Sequence, residues 1–312
     1  MYIEQGYKGE IGLWKYFVIP LAFIGFMIIN YIATVNSPIS VEDTMQQLIE
    51  QMGSNVVLIF LLLPLSAGLL VVLGWTYLVH RQSITSLTTS RKKVDWKRIF
   101  FSFGLWTILT ILLTGIDIYA SPDKYVLNFD WAKFIPLAII GVVLIPMQTS
   151  FEEYLFRGHM MQGLGILAKN RWVPLVVTST LFGLMHIANP EVEKLGHGIL
   201  VYYIGTGFFL GILTLMDEGL ELALGFHAAN NLITALLVTA DWTAFQTNSI
   251  YKDISEPALG WDVLIPVFVI FPLLLWFFSR KYGWKNWKQR LFGKVMTKEE
   301  FVALTHGESD MA

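Results

Sequence analysis

Apolar runs about as long as a bilayer is thick recur along this chain, and no other feature limits its fold so strongly. A helix crosses the hydrocarbon core with roughly 20 apolar residues. In lipid every backbone N–H and C=O must be satisfied within the segment, which leaves helices for runs of this length. Eight runs qualify: 13–35, 56–79, 99–119, 134–156, 172–188, 198–215, 220–239 and 263–278. The 312 residues are 54% hydrophobic and 15% charged, where soluble domains carry about a quarter charged residues. The expected fold is all-α, a polytopic transmembrane helix bundle of about eight spans. The fourth run is the least simple, because the apolar stretch 131–168 is long for one perpendicular helix and short for two with a loop. A kink at Pro146 is expected to absorb the excess.

Basic residues orient the bundle. With the N-terminus in the cytoplasm, all but four of the 22 Lys and Arg fall on the inner side, and Lys124, Lys133, Lys194 and Lys252 lie outside. Inner loops carry the basic residues, so the expectation is a multi-pass protein of the cell membrane with both termini cytoplasmic. Loop 36–55 is acidic and has no basic residue, as suits an outer loop. Many of the 11 Trp and 12 Tyr flank the apolar runs, where interfacial anchors sit. The tail 281–294 interleaves Trp284, Trp287 and Phe292 with Lys and Arg. It reads either as a segment lying on the anionic inner leaflet or simply as the basic flank of the last helix. The absence of cysteine excludes disulfides, Cys-ligated metals and a thiol nucleophile. The first apolar run is too long for a cleavable signal peptide, and no small-residue cleavage site follows it. A net charge of −2 names no partner; the bilayer is the one expected, and nucleic acid is not. Three regions follow: helices and loops in 1–130, a polar-bearing core in 131–245, and the last helix with its basic tail in 246–312.

Glu152 and Glu153 stand side by side in an otherwise apolar stretch, 145–159. Charges at membrane depth are costly and as a rule functional, and two adjacent carboxylates add their repulsion. Proton chemistry, metal binding and ion coupling are the uses such a pair suggests. On a helix Glu153 and Arg157 are four apart and share a face, so Arg157 is expected to fork onto Glu153 and leave Glu152 with freer lone pairs. An interfacial salt bridge is the plainer alternative. Gln148, Thr149 and Ser150 suggest a wetted cavity just before the pair. His186 sits in the fifth apolar run, where a lone His is more often hydrogen-bonded core than catalyst. His227 and Asn231 share a face of the seventh run, about 6 Å apart along the axis, and alone could be interhelical glue. Taken together, three spans carry a carboxylate base, imidazoles and an amide donor, the groups that activate water and stabilise an oxyanion. Gly205, Gly207, Gly211 and Gly225 would let the helices bearing them approach closely. His80, His159, His197 and His306 read as structural or solvated. Asp117, Asp217, Glu218 and Glu221 lie near span ends, and Glu221, on the helix of His227, is the one whose position needs checking. Neither H-E-x-x-H nor G-x-S-x-G occurs.

Three motifs stand in order: Glu152-Glu153-x-x-x-Arg157, Phe182-x-x-x-His186 and His227-x-x-x-Asn231. In that order they resemble the CPBP (Abi) family of intramembrane proteases, which includes the type II CAAX prenyl endopeptidase. The resemblance covers 146–236, and the flank Phe156-Arg157-Gly158-His159 is typical as well. It marks 131–245 as the catalytic core and implies a glutamate-based hydrolase. In that reading Glu152 activates water, His186 helps to position it, His227 and Asn231 stabilise the oxyanion, and Glu153 and Arg157 support Glu152. Metal dependence stays open: Glu152, His186 and His227 could make an O/N/N zinc site, and a metal-free route needs the same residues. The substrate would be a peptide or membrane protein, with peptide maturation or bacteriocin self-immunity as settings. A non-catalytic membrane immunity or scaffold protein is the second reading. A proton-coupled transporter is the third, disfavoured by the lack of an inverted repeat or matched broken helices.

Overall fold

The computed structural model describes residues 1–309, without the side chains of Leu13, Asp262 and 305–309. A 3-10 segment, Ile3–Lys8, precedes α1 (Leu13–Val35), α2 (Val41–Met52), α3 (Ser54–Leu78), α4 (Ile84–Thr88) and α5 (Trp96–Ala120). After β1 (Tyr125–Leu127) come α6 (Trp131–Glu153), a π-helical turn Tyr154–Met160, α7 (Met161–Ala168), α8 (Trp172–Leu184), α9 (Pro190–Leu195), α10 (Leu200–Asp217) and α11 (Glu221–Leu237). Then follow β2 (Val238–Thr239), β3 (Tyr251–Asp253), α12 (Trp261–Ile265), a π-helical turn Pro266–Ile270, α13 (Phe271–Tyr282), α14 (Trp287–Phe292) and α15 (Lys298–Ser309).

Among the described residues six helical segments are long and apolar enough to cross a membrane: Trp14–Val35, Ser54–Leu78, Trp96–Ala120, Trp131–Ala168, His197–Asp217 and Val263–Tyr282. That is two fewer than expected, because the fifth and seventh apolar runs form helices of only 13 and 17 residues. Helix α8 stops at Leu184, before a turn that leads into Asn189-Pro190; proline pushes the residue before it out of the helical region. Helix α11 begins after Glu218 in the left-handed region, φ 56°, and gives way to extended Val238. The fourth run is one continuous helix of 38 residues, Trp131–Ala168, roughly 57 Å long at 1.5 Å per residue. Pro136 and Pro146 lie inside α6, and the change of winding comes later, at Tyr154–Met160.

The connections fall into two sets. At one end Glu10 N–H donates to His80 O at 2.6 Å, Ser90 N–H to Glu218 O at 3.0 Å and Arg171 N–H to Gly293 O at 3.1 Å. Tyr7 Oη donates to Met296 O at 2.8 Å, so both chain ends pack together here. At the other end Val41 N–H donates to Glu193 at 3.1 Å and Gln46 to Gln246 at 3.0 Å. A small sheet in the order β1-β3-β2 ties these loops, antiparallel between β1 and β3 and parallel between β2 and β3. The all-α expectation missed it, since its strands are only two or three residues long. Helices α8 and α11, though short, run from the first set of connections to the second.

Burial separates an inner from an outer layer. In the most apolar window of His197–Asp217, 56% of residues are buried, against 11% for Trp14–Val35 and Trp96–Ala120. Outer helices therefore show lipid a full apolar side, with Ile29 69% and Ile116 64% exposed. Close inner packing depends on glycine. A Cβ at Gly207 would lie 2.4 Å from Ser179 O on α8, and one at Gly225 2.1 Å from Ile99 O on α5. Backbone cannot yield as a side-chain tip can, so Gly225→Ala should destabilise by the ~1–3 kcal/mol typical of overpacking. The unfolding midpoint in detergent measures this, with Gly74→Ala as control, since a Cβ there meets nothing within 4 Å.

Of the charges expected to sit cheaply at span ends, Asp117 is exposed, but Asp217 and Glu221 are buried and paired, at 3% and 0% exposure. Arg91 reaches Asp217 at 3.0 Å and Glu221 at 3.1 Å, and Arg98 also bonds Asp217. Glu221 thus belongs to a clamp joining α5, α10 and α11 and not to the His227 site. Glu218 pairs with Arg290 at 3.2 Å. The tail docks on the same end: Trp284, 9% exposed, donates Nε1–H to Asp217 at 3.1 Å. Other parts of the tail stay open to the surroundings, with Phe292 63% exposed.

Candidate active site

Helix α6 delivers Gln148, Thr149, Glu152 and Glu153 to the interior, and the π-helical turn adds Arg157; all are at most 3% exposed. Burying ionised groups is tolerable only when they are paired and hydrogen-bonded, and the pairing here is specific. Glu153 Oε1 accepts from Arg157 Nη1 at 2.9 Å and from His227 Nδ1 at 2.8 Å. The expected fork of Arg157 onto Glu153 is instead divided. Its Nη2 donates to Gly207 O at 3.1 Å on α10, and its guanidinium lies 4.1 Å from the centre of the Phe182 ring on α8. One arginine therefore joins three elements, at the glycine that lets α8 and α10 meet.

The bond to Glu153 fixes the chemistry of His227. A carboxylate oxygen only accepts, so Nδ1 carries the proton, and Nε2 faces Glu152 Oε2 at 3.5 Å. The other Glu152 oxygen, Oε1, accepts from Gln148 Nε2 at 2.6 Å. Among the described residues no group hydrogen-bonds Glu152 Oε2. Asn231 reaches the cluster through Gln148, Nδ2 to Oε1 at 3.5 Å, and is itself bonded by Asn230 at 3.1 Å.

His186 lies in the turn after α8, not within a helix. Its Nδ1 meets Phe182 O at 2.9 Å and its ring stacks on Tyr203 at 4.3 Å. Phe182 touches the rings of both His186 and His227, at 5.2 and 5.7 Å. The structure thus gathers Glu152, Glu153, Arg157 and His227 in direct contact, Asn231 one amide away, and His186 across one aromatic ring.

Sequence reasoning took Gln148 as a sign of a wet cavity and missed its bond to Glu152, although spacing of four on a helix signals a shared face. It gave Phe182 only as a motif letter, and it had no signal for Gly207 O, a backbone acceptor. Of the histidines set aside, His80 and His159 are each 1% exposed and their rings lie 5.1 Å apart. Tyr16 packs on both, at 4.3 and 5.2 Å. Burial pushes the His80 imidazole below its ordinary pKa. His197 is exposed, and the side chain of His306 lies outside the described residues.

Among the described residues no three His, Cys, Asp or Glu side chains converge as a metal ion needs. Of Glu152, His186 and His227, the two imidazoles have Nδ1 held, in His227 by Glu153 and in His186 by Phe182 O, an arrangement that leaves each Nε2 free as a metal ligand would require. His186, however, stands across the Phe182 ring from the Glu152–His227 pair, so the three do not converge on one point in this arrangement.

Residues 131–233 match the family model described as type II CAAX prenyl endopeptidase Rce1-like. The chain is 28% identical over 261 residues to the uncharacterized protein YyaK of Bacillus subtilis (strain 168), covering 79% of this chain and 83% of that protein. No solved structure matches the chain.

Proposed function

We propose that this multi-pass membrane protein, whose residues 131–233 match the Rce1-like model of type II CAAX prenyl endopeptidases, is an intramembrane endopeptidase that hydrolyses peptide bonds with water activated by Glu152. The observation that carries the reading is the facing pair, Glu152 Oε2 and His227 Nε2 at 3.5 Å, with every other polar atom of His227 and one oxygen of Glu152 already bonded. A water about 2.8 Å from each atom of such a pair sits at the apex of a triangle, within hydrogen-bond reach of both.

In the reaction Glu152 Oε2 takes one proton from that water while its oxygen attacks the peptide carbonyl carbon. The carbonyl π pair moves onto oxygen. The second amide proton of Asn231 is the donor toward the oxyanion, the position where fixed donors matter most, while His227 Nε2 accepts a hydrogen bond from the attacking water and holds it beside that position. The pair then returns to carbon, the C–N bond breaks, and Glu152 passes its proton to the leaving amine. Glu153 and Arg157 act through His227: they hold its tautomer and ring angle. His186, with Nδ1–H on Phe182 O, offers Nε2 as an acceptor at the rim, where it orders incoming water or substrate.

The supposed settings are peptide maturation and bacteriocin self-immunity, and the substrate class is peptides or membrane proteins. The excess of Lys and Arg at the end holding both termini supports a cytoplasmic placement of that end. The test is cleavage of candidate membrane peptides by purified protein beside Glu152→Ala and His227→Ala. Products from wild type alone are expected, and equal cleavage by all three overturns the assignment.

A further inference from the structure

A chain of amides runs from the outer helix α5 to the base. Trp106, 7% exposed on α5, donates Nε1–H to Asn230 Oδ1 at 3.0 Å. Asn230 Nδ2 donates to Asn231 Oδ1 at 3.1 Å, Asn231 Nδ2 to Gln148 Oε1 at 3.5 Å, and Gln148 Nε2 to Glu152 Oε1 at 2.6 Å. Each amide has an accepting and a donating end, so the three can point only one way or the other together.

An indole N–H can only donate. The Tyr202 hydroxyl beside Asn230 can donate or accept, so it imposes no direction. Trp106 does: it forces Asn230 Oδ1 outward, and every following amide takes its sense from that. We propose that Trp106, Asn230 and Gln148 are positioning residues whose one-way relay keeps a donor on Glu152 Oε1 and a donor of Asn231 on the oxyanion position. Reversal would set Gln148 Oε1 against Glu152 Oε1, acceptor to acceptor. It would also turn the oxygen of Asn231 toward Gln148, where its amide nitrogen stood. Base and oxyanion donor are thus aligned by one indole on a helix that carries no other residue of the site.

The inference rests on the hydrolase reading, so its test has one arm that needs no turnover. Full-length wild type, Trp106→Phe, Gln148→Met and the double variant are reconstituted in liposomes. The infrared carboxylate bands of Glu152 are identified from the Glu152→Gln difference spectrum. Both single variants are expected to shift those bands, and Trp106→Phe, which never touches Glu152, is the decisive one. Bands identical to wild type in Trp106→Phe overturn the relay. In the second arm, with labelled casein as a generic unstructured substrate, Gln148→Met is expected to lower kcat about tenfold, as loss of a hydrogen bond to a charged group does. KM stays within about twofold, since the relay acts on the transition state and not on substrate binding. The double variant should match Gln148→Met alone, because both break one chain. Additive losses overturn the coupling. Equal cleavage by wild type and Glu152→Gln would instead sink the hydrolase reading, while the infrared bands still decide the relay.

Discussion

Glu152→Gln is expected to lower peptide hydrolysis by about 10²–10⁴-fold, the usual worth of a positioned general base, with the unfolding midpoint held or raised. The two side chains are nearly the same shape. Glutamine can still accept from Gln148, whose Nε2 lies 2.6 Å from Glu152 Oε1, but it cannot take a proton from water. The carboxylate oxygen Oε2 has no hydrogen-bonding group among the described residues, so removing its charge relieves an electrostatic cost of burial rather than adding one. Loss of activity with stability intact is the signature of a group kept for chemistry. A scaffold or immunity protein whose polar groups only hold helices together predicts the reverse, an unchanged phenotype. Turnover and thermal unfolding measured on the same preparation separate the two, and undiminished hydrolysis rules Glu152 out as the base.

Arg157→Met should have the larger effect on folding. Arg157 and Glu153 are both 0% exposed and their bond is 2.9 Å. Truncating one partner leaves the other charge buried, which costs about 3–5 kcal/mol in comparable pairs. The same substitution frees Gly207 O and removes the cation from the Phe182 face. Arg157→Lys should restore little, because an ammonium cannot serve Glu153, Gly207 O and a ring face at once. Pairing Arg157→Met with Glu153→Leu should recover stability, since replacing both members of a buried pair by apolar groups is often neutral. It should not recover activity, because His227 then loses the acceptor at 2.8 Å that fixes its tautomer. A double variant no more stable than Arg157→Met would show that the cost is packing and not an orphaned charge.

Much of this arrangement can be read from the chain, and the reasons differ by residue. The long helices are legible because apolar length alone decides them, as for α1, α3 and α5. The Glu153–Arg157 pair follows from spacing on one helix, and Gly207 and Gly225 act as expected, admitting backbone that a Cβ would meet at 2.4 and 2.1 Å. Hydropathy draws α8 and α11 too long because it does not register a turn before proline, as after Leu184, or a switch to extended backbone, as at Val238. The second arm of Arg157 was illegible because its acceptor is a carbonyl, which every residue possesses. Likewise Trp106 gave no signal: an indole in an apolar run reads as packing or an interfacial anchor until the amide it faces is known. Glu221 drew notice for its helix, yet its carboxylate turns to Arg91, at 3.1 Å, on the loop before α5.

The shortness of α8 bears on the solvent around the site. Its 13 residues rise roughly 20 Å, against about 30 Å of hydrocarbon in a typical bilayer. Such mismatch is relieved by local thinning of the lipid. Thinning at α8 would bring headgroups and their water toward its end, where His186 stands. The proposed hydrolysis needs water from outside the lipid, and a helix too brief for its surroundings would provide the route.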